Sequence, residues 1–152
     1  ERSRGLGDVY KRQTMTDQPT ILFVCNSNRG KSQMAAALMD LRSEGAIRST
    51  SAGVKAEEGK AVNAEAAASL AKIGADMSSG YSKPMSPELL AEADRIVVVG
   101  GADLGELSPE DAAKVERWSP DEPSRRGIEG EERMDLLRDD IDRLVKDLLA
   151  RL

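Results

Sequence analysis

Apolar residues fall into short runs and stripes along the 152-residue chain. Residues 20–25 (TILFVC) form a continuous apolar, β-branched run, the pattern of a strand covered on both faces. Residues 95–99 (RIVVV) repeat that pattern and stop at Gly100-Gly101. A weaker strand is predicted over 46–51, closing at Gly53, and a last short one over 115–118. Helical spacing appears between them. Residues 32–42 (SQMAAALMDLR) place Met34, Leu38 and Leu41 on one face. Residues 62–73 are Ala-rich and end before Gly74. Residues 86–93 open with Ser86 as N-cap, Pro87 behind it and Glu88 in the first turn. Residues 131–152 carry a stripe of Met134, Leu137, Ile141, Leu144, Val145 and Leu148, after a turn-rich loop over 120–130. The alternation predicts an α/β fold of three layers: a four-stranded parallel sheet with helices on both faces. Residues 15–152 read as a single domain. Residues 1–14 (ERSRGLGDVYKRQT) show no sustained period and read as a foreign or disordered leader before Met15.

Composition narrows the chemistry. The chain has no histidine, which excludes a Ser-His-Asp triad, a Cys-His dyad and a histidine-ligated metal. Its one cysteine, Cys25, excludes an intrachain disulfide, a CxxC pair and a cysteine-rich metal site. A net charge of −5 argues against a nucleic-acid partner. No apolar run approaches the roughly 20 residues of a membrane span, and no signal segment is evident. A lone thiol without such a segment fits a reducing, cytoplasmic setting.

The candidate chemistry lies in residues 25–32, CNSNRGKS. A thiol ends a buried strand, a small polar loop follows, and a helix begins. In open α/β sheets, ligands sit outside the carboxyl ends of the strands. Backbone N–H groups of Asn26, Ser27, Asn28, Arg29, Gly30, Lys31 and Ser32, with a helix N-terminus behind them, would cradle an oxyanion. The same field keeps a thiol at its mouth ionised. Ser32 can donate to that thiolate, Lys31 sets a positive charge beside a tetrahedral anion, and Gly30 gives the backbone room. Asn28 tolerates a left-handed backbone and can tie the loop. Arg29 is either a further anion contact or a solvated side chain. Asp121 is the candidate general acid, with Glu122 as the alternative, because an oxyanion oxygen leaves poorly unless protonated. Trp118, Met34 and Met39 are expected in the core. The charged stretch 131–142 is expected to be a solvated helix face with i,i+4 pairs.

The stretch VCNSNRGKSQMAAAL resembles the phosphate-loop signature C-x5-R-S, continued as Q-M-A, of the low-molecular-weight protein tyrosine phosphatase and arsenate reductase superfamily. Ser51–Gly53 (SAG), the stretch 82–100 and the stretch 121–141 match further segments in that order. The resemblance departs at Lys31, where the family has arginine, and at Asp121-Glu122-Pro123, where it has Asp-Pro. Ser124 stands where phosphatases carry an aromatic, and the extra cysteines of thioredoxin-coupled reductases are missing. The chain is most similar to the single-cysteine arsenate-mycothiol transferases. The resemblance implies that the Cys25 thiolate attacks arsenate and that mycothiol, or a similar low-molecular-weight thiol, takes the arsenic over as cosubstrate. A mycoredoxin- or glutaredoxin-like partner then completes the reduction, with no metal or bound cofactor. The alternatives are a low-molecular-weight protein tyrosine phosphatase and a non-catalytic oxyanion-binding relative.

Overall fold

The computed structural model describes residues 18–152, so the expected leader, residues 1–14, lies outside the described residues. In chain order the elements are β1 (Thr20–Cys25), α1 (Lys31–Ser43), β2 (Arg48–Gly53), α2 (Ala64–Ala71), α3 (Pro87–Glu92), β3 (Arg95–Val99), α4 (Pro109–Ala112), β4 (Val115–Trp118), a 3-10 turn (Pro123–Arg126) and α5 (Gly130–Arg151). The four strands pair in parallel, in the order β2-β1-β3-β4. This is the expected architecture.

Strand β1 is buried at every position, and its alternate side chains feed two cores. Ile21 and Phe23 join the larger core with Val97, Val99, Trp118 and the apolar sides of α1, α2 and α5. Leu22 and Val24 join the smaller one with Ala52, Ala93 and Ile96, covered by Leu89 and Leu90 of α3. The Phe23 and Trp118 rings meet at 5.8 Å and 54°, so Trp118 packs the core as expected. Met34 and Met39 are buried there too.

Several boundaries move for local reasons. Strand β2 runs to Gly53 because each residue of Arg48–Gly53 pairs with one of Thr20–Cys25. Helix α2 starts later than expected because the Asn63 side chain accepts from the Ala66 N–H and caps it there. Helix α4 was not expected. It is a single turn capped by Ser108, with Pro109 first and no buried residue, so it leaves no apolar period to read. Ser86 caps α3 as expected, accepting from the Leu89 N–H.

The expectation of a solvated face over 131–142 is corrected at two residues. Asp142 is buried and accepts both Nε and Nη2 of Arg42 on α1, at 2.9 and 2.8 Å. Arg138 is buried and donates to the Ser69 carbonyl at 2.9 Å, on α2. Helix α5 packs against both α1 and α2, so polar positions flanking its apolar stripe face protein rather than water. Among the described residues, no helix is long and apolar enough to cross a membrane.

The connection after β1 leads to the β2 side of the sheet, and β3 then joins on the opposite side. The carboxyl ends of β1 and β3 therefore flank the point where the winding reverses, which is where such sheets open a crevice.

Candidate active site

A cavity of about 420 Å³ opens at that point. Its floor is Cys25 and the loop that follows, through Asn26, Ser27, Arg29, Gly30 and Lys31. One wall comes from the end of β3, Val99 to Ala102, and the other from α5, through Arg133, Met134 and Leu137.

The loop is built around the thiol. Cys25 is 7% exposed, yet its Sγ is reached by two polar groups. The Asn28 N–H donates to Sγ at 3.2 Å, and the Ser32 Oγ lies 3.0 Å away. The Asn28 Nδ2 donates to Ser32 Oγ at 2.8 Å, which leaves the serine proton for the sulfur. Asn28 is fully buried at φ 58°, the left-handed conformation that asparagine tolerates better than most residues. Its Oδ1 accepts from the Lys83 N–H at 2.9 Å, and its carbonyl accepts from Gln33 Nε2 at 3.2 Å. One buried asparagine thus joins the Cys25 thiol, the helix that follows and the segment before α3.

Gly53 holds the loop from beneath. A Cβ there would stand 2.6 Å from the Asn26 carbonyl oxygen and 2.8 Å from the Asn28 nitrogen, so only glycine fits. The loop is further fixed where the Asn63 N–H donates to the Arg29 carbonyl at 2.7 Å. Helix α1 begins with Gly30 as its cap and no side-chain cap hydrogen bond. Among the described residues, no group accepts from the N–H groups of Gly30, Lys31 and Ser32. These donors at a helix N-terminus suit an oxyanion.

The charge of the lining is one-sided. Among the described residues, Arg29, Lys31 and Arg133 line the cavity and no carboxylate does, in a chain whose net charge is −5. Lys31 runs beside Gly100, whose added Cβ would lie 3.8 Å from Nζ. Arg29 is exposed and gives its Nε to the Ala61 carbonyl at 2.6 Å.

The two candidate acids lie elsewhere. Asp121 does not line the cavity. Arg126 grips it with two bonds of 2.6 and 2.9 Å and holds its carboxyl below the usual range. Glu122 is bound the same way by Arg133, at 2.8 and 2.9 Å, and also accepts from the N–H and Oγ of Ser124. The Arg133 guanidinium is the main reason its carboxyl falls to about 2. Both are carboxylates at neutral pH, and neither lines the cavity. Sequence reading did not single out Arg133, which sits in a helix rich in charges and acquires meaning only from the face it turns to the cavity. It also missed Lys83, whose backbone N–H orders Asn28 and whose ammonium is pushed down by burial.

Comparison with known proteins agrees with this geometry. The family model described as low molecular weight phosphotyrosine protein phosphatase matches residues 20–152. The chain is 30% identical over 135 residues to an arsenate reductase of Halalkalibacterium halodurans, covering 86% of this chain and 94% of that one. Among solved structures, a low molecular weight protein tyrosine phosphatase from T. tengcongensis superposes with a TM-score of 0.75 at 27% identity, covering 88% of this chain and 99% of its own. An arsenate reductase in the phosphate binding state superposes with a TM-score of 0.72 at 25% identity, covering 88% and 98%. From sheet order to the loop after Cys25, the chain belongs to the low molecular weight phosphotyrosine protein phosphatase family, whose relatives include both phosphatases and arsenate reductases.

Proposed function

We propose that this protein is a cytoplasmic arsenate reductase of the transferase type, in which Cys25 passes arsenic to mycothiol or a similar low-molecular-weight thiol. The observation that carries the reading is the pairing of the chain's one cysteine with a cavity whose charged side chains, among the described residues, are all cationic. Such a site takes a tetrahedral oxyanion, and with no second thiol in the chain the next sulfur arrives from outside. Likeness to an arsenate reductase, and to another in a phosphate-bound state, supports the same substrate class.

The steps balance as follows. The Cys25 thiolate attacks arsenic(V); an S–As bond forms and an As–O bond breaks. The departing hydroxyl takes a proton that Asp121, once released by Arg126, picks up from solvent, and leaves as water. The loop N–H groups of Gly30, Lys31 and Ser32, unpaired among the described residues, and the Lys31 ammonium stabilise the charge on the remaining oxygens. The cosubstrate thiolate then attacks arsenic, and Cys25 leaves as thiolate with arsenic still at +5. A thiol of a mycoredoxin- or glutaredoxin-like protein attacks the sulfur of this adduct. A disulfide forms, and arsenic takes the electron pair and departs as arsenite.

A phosphatase reaction through phosphocysteine would use the same sulfur. Two residues weigh against it: Lys31, a point charge where a forked guanidinium grips a phosphoryl group better, and Ser124, which is engaged with Glu122 and offers no ring for an aryl ester. Mass spectrometry after mixing protein, arsenate and mycothiol decides between them. The expected product is an arseno-mycothiol adduct, absent with Cys25→Ser. Rapid hydrolysis of an aryl phosphate with no such adduct would establish the phosphatase instead. Absence of both would leave an anion-binding protein without turnover.

A further inference from the structure

The three cations that line the cavity among the described residues are not equivalent. Lys31 offers a point charge. Arg29 stands exposed with its Nε tied to the Ala61 carbonyl. Arg133, in the first turn of α5, is half-buried and reaches the cavity from the opposite wall. Its Nε and Nη2 chelate Glu122 at 2.8 and 2.9 Å, which leaves Nη1 with no hydrogen-bond partner among the described residues.

Glu122 has partners of its own. Its Oε2 accepts from the Ser124 N–H at 3.2 Å and from the Ser124 Oγ at 2.9 Å. It would stay ordered if Arg133 let go. The pair is therefore a guanidinium at the wall of an anion cavity, occupied from outside that cavity by a carboxylate that can spare it. A tetrahedral oxyanion presents the same paired oxygens that a carboxylate does, with more charge.

Resting on the oxyanion reading of this cavity, we propose that Arg133 is a substrate-binding residue that exchanges Glu122 for the oxyanion seated over Cys25, and that Glu122 is the internal competitor setting the affinity of the site. The exchange makes the two members of one ion pair act in opposite directions. Removing the competitor frees the fork for substrate, while removing the fork weakens binding. A pair that only braced the acid loop would shift both variants the same way.

Calorimetric titration of the full chain with inorganic phosphate tests this. Glu122→Gln is expected to bind about three- to tenfold tighter than wild type and Arg133→Ala about tenfold weaker, with Arg133→Lys between. The double variant is expected to be no tighter than Arg133→Ala, which separates the release of Arg133 from a general loss of negative charge. If Arg133→Ala does not fold, Glu122→Gln and Arg133→Lys still decide. Equal or weaker phosphate binding in Glu122→Gln, or binding indifferent to Arg133, overturns the proposal. If arseno-thiol forms while phosphate binding ignores Arg133, this inference falls alone. If phosphate binding follows the pattern but no arseno-thiol forms, Arg133 keeps its role and the reductase reading falls.

Discussion

Ser32 and Lys31 show how adjacent positions divide one task. The Ser32 hydroxyl lies 3.0 Å from Sγ and accepts from Asn28, so its proton is available to the sulfur. Ser32→Ala removes that donor, and the rate of Cys25 alkylation at pH 7 is expected to fall about tenfold, with the melting temperature lowered because the buried Asn28 Nδ2 loses its acceptor. A wild-type alkylation rate in this variant would mean the hydroxyl is only a packing group. Lys31 gives charge without a fork. Lys31→Arg is expected to raise aryl phosphatase activity more than arsenate transfer, measured side by side, because the fork matches the phosphoryl oxygens. Equal gains would refute that distinction. Much of this scale was legible in the sequence: a cysteine at a strand end, followed by small polar residues and a helix, places the thiol beside the donors that reach it. Arg133 and the engagement of Asp121 by Arg126 were not legible. Both depend on which side chains lie face to face after folding, and no local pattern records that.

At the scale of elements, the site depends on the junction between the ends of β1 and β2. Gly53 ends β2 directly beneath the loop, with no space for a Cβ. Gly53→Ala is expected to push the loop from its seat, lowering turnover at least a hundredfold while circular dichroism keeps its helix and strand signal. Retention of activity would show that the loop adapts. The 3-10 turn after β4 is a second junction, held by Glu122. Its carboxyl is depressed from 4.5 to about 2, so its stabilising contribution is complete above about pH 4.5 and is lost as pH falls toward 2. Acid unfolding monitored by fluorescence should therefore show a steeper loss between pH 4.5 and 2 in wild type than in Glu122→Gln. The difference should be about 1–3 kcal/mol; parallel curves would contradict the assignment. The long elements were legible because buried strands and an amphipathic helix impose periods of their own. Helix α4 and the start of α2 were not, since side-chain caps at Ser108 and Asn63 set them rather than apolar spacing.

For the whole molecule, charge and topology converge. An acidic chain gathers cations around one cavity, at the point where the order β2-β1-β3-β4 reverses its winding. The ion pair of Arg42 with Asp142 and the Arg138 bond to Ser69 fasten α5 to α1 and α2, and α5 in turn supplies one cavity wall. The sheet and its helices followed from the alternation of elements, but the buried polar contacts of α5 emerge only when three helices meet. The central claim is that Cys25 is the atom that bonds to the oxyanion. The direct measurement is rapid acid quenching of protein mixed with an aryl phosphate or arsenate, followed by intact-mass and peptide mass spectrometry. A covalent phosphoryl or arsenyl group on the peptide holding Cys25, absent in Cys25→Ser, is the predicted result. Turnover with no adduct on that peptide, or turnover that survives Cys25→Ser, would contradict it.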